Sequence, residues 1–141
     1  MPELIPVLTS EDVIKAMRTL RMNQRVNYWA FYSNQLGGIV TDPALMVIAF
    51  DDHMVHRGHG VFDTAGLVDG KIYDLEAHLD RFEASAKRAK LTLAFTRQEM
   101  KKIILETTLL AGHSDGAIRY WATSGPGSLE LSPAKGATPG F

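Results

Sequence analysis

With 141 residues, 45% of them apolar and 22% charged, the chain has the composition of one ordinary globular domain with a modest core. A net charge of −1 offers no long-range attraction to nucleic acid or an anionic membrane, and no apolar run reaches membrane-spanning length. The absence of cysteine rules out disulfides, thiolate nucleophiles and zinc–thiolate sites.

Residues 1–8 read as an extended, proline-stiffened lead-in. Residues 1–12 carry early acids instead of a basic or Arg/Ser-rich targeting pattern, so the cytoplasm is the expected compartment. Thr9 and Asp12 form a capping box that opens a helix with Val13, Ala16, Met17 and Leu20 on its apolar face. Arg18, Arg21 and Arg25 form its solvated basic flank. Residues 28–33, 39–41 and 44–50 read as short strands, with turns at Gly37-Gly38 and Asp42-Pro43.

The stretch from residue 51 to 90 concentrates the unusual choices. His53, His56 and His59 recur at spacing three, with Gly58 and Gly60 beside them, and suggest a loop whose backbone comes close to something. With Asp51, Asp52 and Asp63 they could be read as a metal site. Spacing three gathers side chains only on a helix, however, which the two glycines disfavour, so no metal is expected. Residues 61–68 form the next strand, Asp69-Gly70 supplies a two-residue hairpin turn, and Lys71-Ile72-Tyr73 returns as its partner. Asp74 is the expected side-chain N-cap of the following helix. At 100° per residue Leu75, Leu79, Phe82, Ala86 and Ala89 lie within about 40° of one line and form a buried stripe. Arg81 lies about 120° away, where periodicity alone predicts a solvated charge.

Thr96 and Glu99 make a second capping box, opening a helix buried along Met100, Ile103, Ile104, Thr107 and Ala111. Residues 116–124 form a strand with Ala117, Arg119 and Trp121 on one face. Arg119 is either solvated at a sheet edge, or paired or facing a cavity. The loop Gly125-Pro126-Gly127-Ser128 could cradle an anion with its amides, or be an ordinary turn. Phe62 is most simply a core aromatic, and His113, with no nearby partner of ligand type, a surface residue. The Pro/Gly-rich residues 130–141 read as a linker.

Taken in order, Gly60-Val61-Phe62-Asp63, the Asp-Gly hairpin, His78-Leu79-Asp80-Arg81-Phe82, Ser85-Ala86, Ile118-Arg119-Tyr120-Trp121 and Ser124-Gly125-Pro126-Gly127 resemble the class-IV pyridoxal-phosphate aminotransferases. That family includes branched-chain aminotransferases, D-amino-acid transaminases and aminodeoxychorismate lyases. The resemblance covers roughly residues 30–133, and in Ile118-Arg119-Tyr120-Trp121 and Ser124-Gly125-Pro126-Gly127 it is most similar to the plant-type D-amino-acid transaminases.

It implies an α+β fold: a small antiparallel sheet of five or six strands with two or three helices packed on one side. The implied organisation is an N-terminal extension with a helix (1–26), a small N-terminal domain (27–129) and an interdomain linker (130–141) to a second domain. That second domain would hold the cofactor-bearing lysine, since none of Lys15, Lys71, Lys87, Lys90, Lys101, Lys102 or Lys135 matches the family's lysine motif. By the same resemblance Arg81 would hold the phosphate of pyridoxal 5′-phosphate, the chemistry a guanidinium fork suits. Phe62, Arg119, Arg57, His59, Gly125 and Gly127 would serve the substrate, Arg119 at its carboxylate. Arg57 and His59 could replace the hydroxyl that a tyrosine at position 62 would offer. The implied partners are amino-acid and 2-oxo-acid substrates and a second copy in a homodimer, with transamination as the activity. A lyase using the same cofactor is the alternative within the family, and a free-standing dimerisation or ligand-binding domain the alternative outside it.

Overall fold

The computed structural model describes residues 4–130 and 138–141. Among them the chain forms α1 (Ser10–Met22), β1 (Phe31–Ser33), β2 (Gly38–Val40), a 3-10 turn (Pro43–Leu45), α2 (His53–Arg57), β3 (Gly60–Val68), β4 (Lys71–Ile72), α3 (Leu75–Arg88), α4 (Arg97–Ala111) and β5 (Gly116–Thr123).

β3 is the spine. Its hairpin with β4 turns on Asp69 and Gly70, both left-handed at φ 49° and 72°, as the Asp-Gly pair requires. β5 pairs antiparallel along its other edge, from Gly60 opposite Thr123 to Leu67 opposite Gly116. Alternation turns Val61, Asp63, Ala65 and Leu67 to one face, with Ile118, Tyr120 and Ala122 of β5. That face is covered by helices. Leu79, Phe82 and Ala86 of α3 and Met100 and Ile104 of α4 meet Ala65, Tyr120 and Ala122 in the core. Phe82 stands edge-on to Tyr120 at 5.1 Å between ring centres.

The α+β class is as expected, and the Asp-Gly hairpin and the two long helices follow the sequence reading. The five strands split into two sheets, β1–β2 and β4–β3–β5. Residues 44–50 are not a strand. Asp42 accepts from Ala44 N–H at 3.0 Å, and Pro43 sits at the start of the 3-10 turn that the chain takes instead. The histidine stretch is not all loop either. Asp52 caps α2 through Met54 N–H at 2.8 Å, and Gly58 closes the helix at φ 66°, so the glycine ends a helix it was expected to prevent. Asp74 occupies the N-cap position of α3 in a left-handed conformation and makes no side-chain cap.

α1 carries its capping box but buries no residue, and its Arg18 pairs with Asp42 beside the 3-10 turn at 3.1 Å. Of the stretch read as a linker, residues 131–137 lie outside the described residues. Residues 138–141 fold back on the domain: Gly140 bridges to Thr123, and the Phe141 ring joins Phe82 and Phe95.

Candidate functional site

Asp63 points inward from β3, and its side chain is only 3% exposed. A carboxylate on the buried face of a strand must be paired, since an isolated buried charge is costly. The partner is Arg81, two turns into α3. Its Nε donates to Asp63 Oδ2 and its Nη2 to Oδ1, both at 2.6 Å. This paired grip holds the carboxyl at about 2 despite burial, which pushes it upward, and the His78 ring and Thr64 N–H lower it further. Arg81 is correspondingly raised, chiefly by the hydrogen bond to Asp63.

His78 Nδ1 lies 2.9 Å from both Asp63 Oδ1 and Arg81 Nη2. Protonated there it donates to Asp63, and unprotonated it accepts from Arg81, so either form ties the ring to the pair. Tyr120, directly opposite Asp63 in the register, is pushed up to about 12 by burial and then by the Asp63 charge. The Arg81 side chain is 61% exposed, so the angular reading of a solvent-facing group was right. What helical periodicity could not reveal was its partner on the neighbouring strand. The parity of Asp63, aligned with Val61, Ala65 and Leu67, was the available signal. Ser85, one turn on, accepts from Arg88 Nη2 at 3.0 Å.

The other face of the sheet is open. Phe62 projects there and is 63% exposed, so it is not a core aromatic; the alternation that buries Asp63 turns Phe62 outward. The Arg119 guanidinium lies 5.2 Å from the Phe62 ring centre, and its Nε donates to Thr64 Oγ1 at 3.2 Å. Thr64 and Arg119 with Trp29, Phe31, Trp121 and His113 line part of a cavity of about 620 Å³. His113 is exposed, as expected of a surface residue, and it stacks on Trp29 at 3.7 Å, a contact between residues distant in sequence.

Arg57, His59, Gly125 and Gly127 fall in a third place, at the end of the sheet around α2. Arg57 Nη2 donates to the carbonyls of Ser128 and Glu130, and His59 Nε2 donates to Ala89 O at 2.9 Å. The glycines serve close approach. A Cβ on Gly125, at φ 82°, would strike the Thr138 carbonyl, and one on Gly127 would sit 2.5 Å from His53 Nε2. Their amides donate to Thr123 Oγ1 and Asp51 O, so those two N–H groups do not form an open anion cradle. The three histidines have separate tasks. His53 is buried, His56 Nε2 meets Asp51 O at 3.1 Å, and His59 reaches α3. Among the described residues no group of three or more His, Asp or Glu is gathered as a metal centre would need.

Comparison with known proteins bears on the framework that carries these residues. The family model described as "Amino-transferase class IV" matches residues 60–140, which contain β3, the hairpin, α3, α4 and β5. The chloroplastic D-amino-acid transaminase of Arabidopsis thaliana is 47% identical over 131 residues, covering 93% of this chain and 35% of its own. The fold matches a T.th. branched-chain amino acid aminotransferase complexed with N-(5′-phosphopyridoxyl)-L-glutamate, with a TM-score of 0.70 at 22% identity, over 82% of this chain and 40% of that one. It also matches 4-amino-4-deoxychorismate lyase from Pseudomonas aeruginosa, with a TM-score of 0.55 at 24% identity, over 67% of this chain and 33% of that one. The chain thus spans between about a third and two fifths of the length of these relatives. Because the family model covers more than half of the chain and spans its whole β3-to-β5 framework, the chain belongs to the class-IV aminotransferase family.

Proposed function

We propose that this chain is the small N-terminal domain of a pyridoxal-phosphate-dependent aminotransferase acting on amino acids, of the D-amino-acid or branched-chain type. Residues 27–129 are then the domain itself, 1–26 an extension, and 130–141 the link to a second domain that carries the lysine. The observation that carries this reading is the Arg81 guanidinium, gripped along one edge by Asp63 while its side chain stays open to solvent. The residues present suit a phosphate. Arg has five N–H donors, the pairing with Asp63 engages two nitrogens from one side, and the Nη1 end of the fork has no hydrogen bond among the described residues.

When bound, pyridoxal phosphate supplies the electron sink that amino-group transfer needs. This chain's own residues do the holding and shaping. Arg81 donates to the phosphate oxygens. Arg119, steadied by Thr64 and Phe62, receives the substrate carboxylate, and Phe62 with Trp121 forms an apolar wall that excludes water from it. Arg57, His59, Gly125 and Gly127 shape the loop at the substrate's far side, where a second copy in a homodimer meets the site. The 47% identity to a D-amino-acid transaminase favours that type over the branched-chain one. The structural likeness to a 4-amino-4-deoxychorismate lyase keeps elimination with the same cofactor as the second reading.

The test is a titration of pyridoxal phosphate into full-length protein carrying Arg81→Ala, with Arg88→Ala as the control on the same helix. A charge-assisted hydrogen bond to phosphate is worth roughly 1.5–3 kcal/mol, so Arg81→Ala is expected to raise Kd about tenfold to a hundredfold. Arg88→Ala should change it little. Wild-type affinity in Arg81→Ala would make the guanidinium an ordinary surface charge.

A further inference from the structure

Arg81 alone is a poor anion site. It is a long side chain on an exposed helix face, and its charge is already matched by Asp63. Net charge therefore does not explain an affinity for phosphate here. Direction does. A carboxylate meeting Nε and Nη2 at 2.6 Å each fixes the plane of the guanidinium as well as its position. Asp63 is itself immobile: it sits in the central strand, 3% exposed, and its Oδ1 accepts from Thr64 N–H at 2.6 Å. His78, one helical turn before Arg81, closes the group with its Nδ1 at 2.9 Å from both members.

We infer that Asp63 is a positioning residue for the cofactor phosphate: it clamps the Nε/Nη2 edge of Arg81 so that the remaining N–H groups are presented outward as a fixed fork, with His78 bracing the pair. This rests on the reading of Arg81 as the phosphate ligand. It assigns the acidic residue of the β3 motif a task in binding, carried out through another side chain and without touching the phosphate.

Two accounts of the site differ in sign. If Arg81 attracted phosphate by charge alone, neutralising Asp63 would unmask that charge, and Asp63→Asn would bind phosphate more tightly. If Asp63 acts by orientation, Asp63→Asn leaves an amide that accepts through one oxygen only, the fork swings, and affinity falls.

The experiment uses the full-length protein and pyridoxamine 5′-phosphate, which lacks the aldehyde and so is not captured by surface lysines. Equilibrium dialysis gives Kd, pyridoxamine without the phosphate is measured in parallel, and Tm reports the fold. Asp63→Asn is expected to weaken pyridoxamine 5′-phosphate by roughly tenfold, the scale on which orienting groups act on the ligands they hold. It should leave pyridoxamine itself unchanged and add no further loss in an Arg81→Ala background. Equal or tighter binding by Asp63→Asn overturns the inference, as does the same loss with and without Arg81. Should Asp63→Asn not fold, Arg81→Lys decides instead: it keeps the charge but cannot be clamped along one edge while offering a fork from another. A tenfold loss supports positioning, and wild-type affinity overturns it. Failure of wild type to bind, or wild-type binding by Arg81→Ala, is a different result and sinks the cofactor reading together with this one.

Discussion

At the scale of single residues the Asp63–Arg81 pair is also a stability device with a definite pH dependence. The folded carboxyl lies at about 2, below its ordinary 3.8. A group depressed on folding contributes stability wherever it is ionised in the unfolded chain, and loses it as pH falls through the folded value. The contribution is therefore complete above about pH 5 and declines toward pH 2. Asp63→Asn should flatten that part of the acid limb, read as urea midpoints collected from about pH 2 to pH 6. An acid limb in the variant parallel to wild type would mean the carboxyl is not held low. Arg81 was placed correctly by helical angle and Phe62 was not placed by its apolar character. The difference lies in what each rule measures. Period 3.6 reports direction from one helix, whereas the side of a sheet that Phe62 occupies depends on which face the helices cover.

At the scale of elements, both capping boxes form as their sequences require. Thr9 and Asp12 exchange hydrogen bonds at α1, and Thr96 and Glu99 do so at α4. Their weight in the fold differs. α4 places Met100 and Ile104 in the core, while α1 buries nothing. Thr96→Ala should therefore lower global stability by about 1 kcal/mol, and Thr9→Ala should leave it within about 0.5 kcal/mol of wild type. Urea unfolding followed by tryptophan fluorescence distinguishes them, and equal losses would show α1 to be part of the cooperative unit. The elements that departed from the sequence reading did so for local reasons. Asp42 and Asp52 both accept from a backbone N–H two residues on, one at the 3-10 turn and one at α2. An aspartate just before a short turn or helix is a weak signal beside an apolar run or a pair of glycines, and it was outweighed in both places.

At the scale of the whole molecule, apolar side chains stand exposed on several elements, α4 and α1 among them. Leu105, Leu109 and Leu110 stand out from α4, with Leu109 83% exposed, and Leu20 and Met22 from α1. Contiguous exposed apolar groups of this kind ordinarily meet another surface. The chain should sediment as dimers or higher species at high concentration, and Leu109→Glu should shift it toward monomer. A monomer at every concentration would remove the α4 surface from consideration as an interface.

The sequence by itself determined the α3 stripe, the Asp-Gly hairpin, both capping boxes, the shared face of Ala117, Arg119 and Trp121, and the family, through an ordered set of short motifs. Each of these rests on local periodicity, backbone preference or residue order, all of which are written along the chain. Tertiary structure alone decided that Asp63 and not solvent receives Arg81, that Phe62 faces outward, that Trp29 meets His113, and that Gly125 and Gly127 make room for Thr138 and His53. These are contacts between segments far apart in sequence. Pairing β3 with β5, laying α3 across one face and returning residues 138–141 to the core brings those segments together.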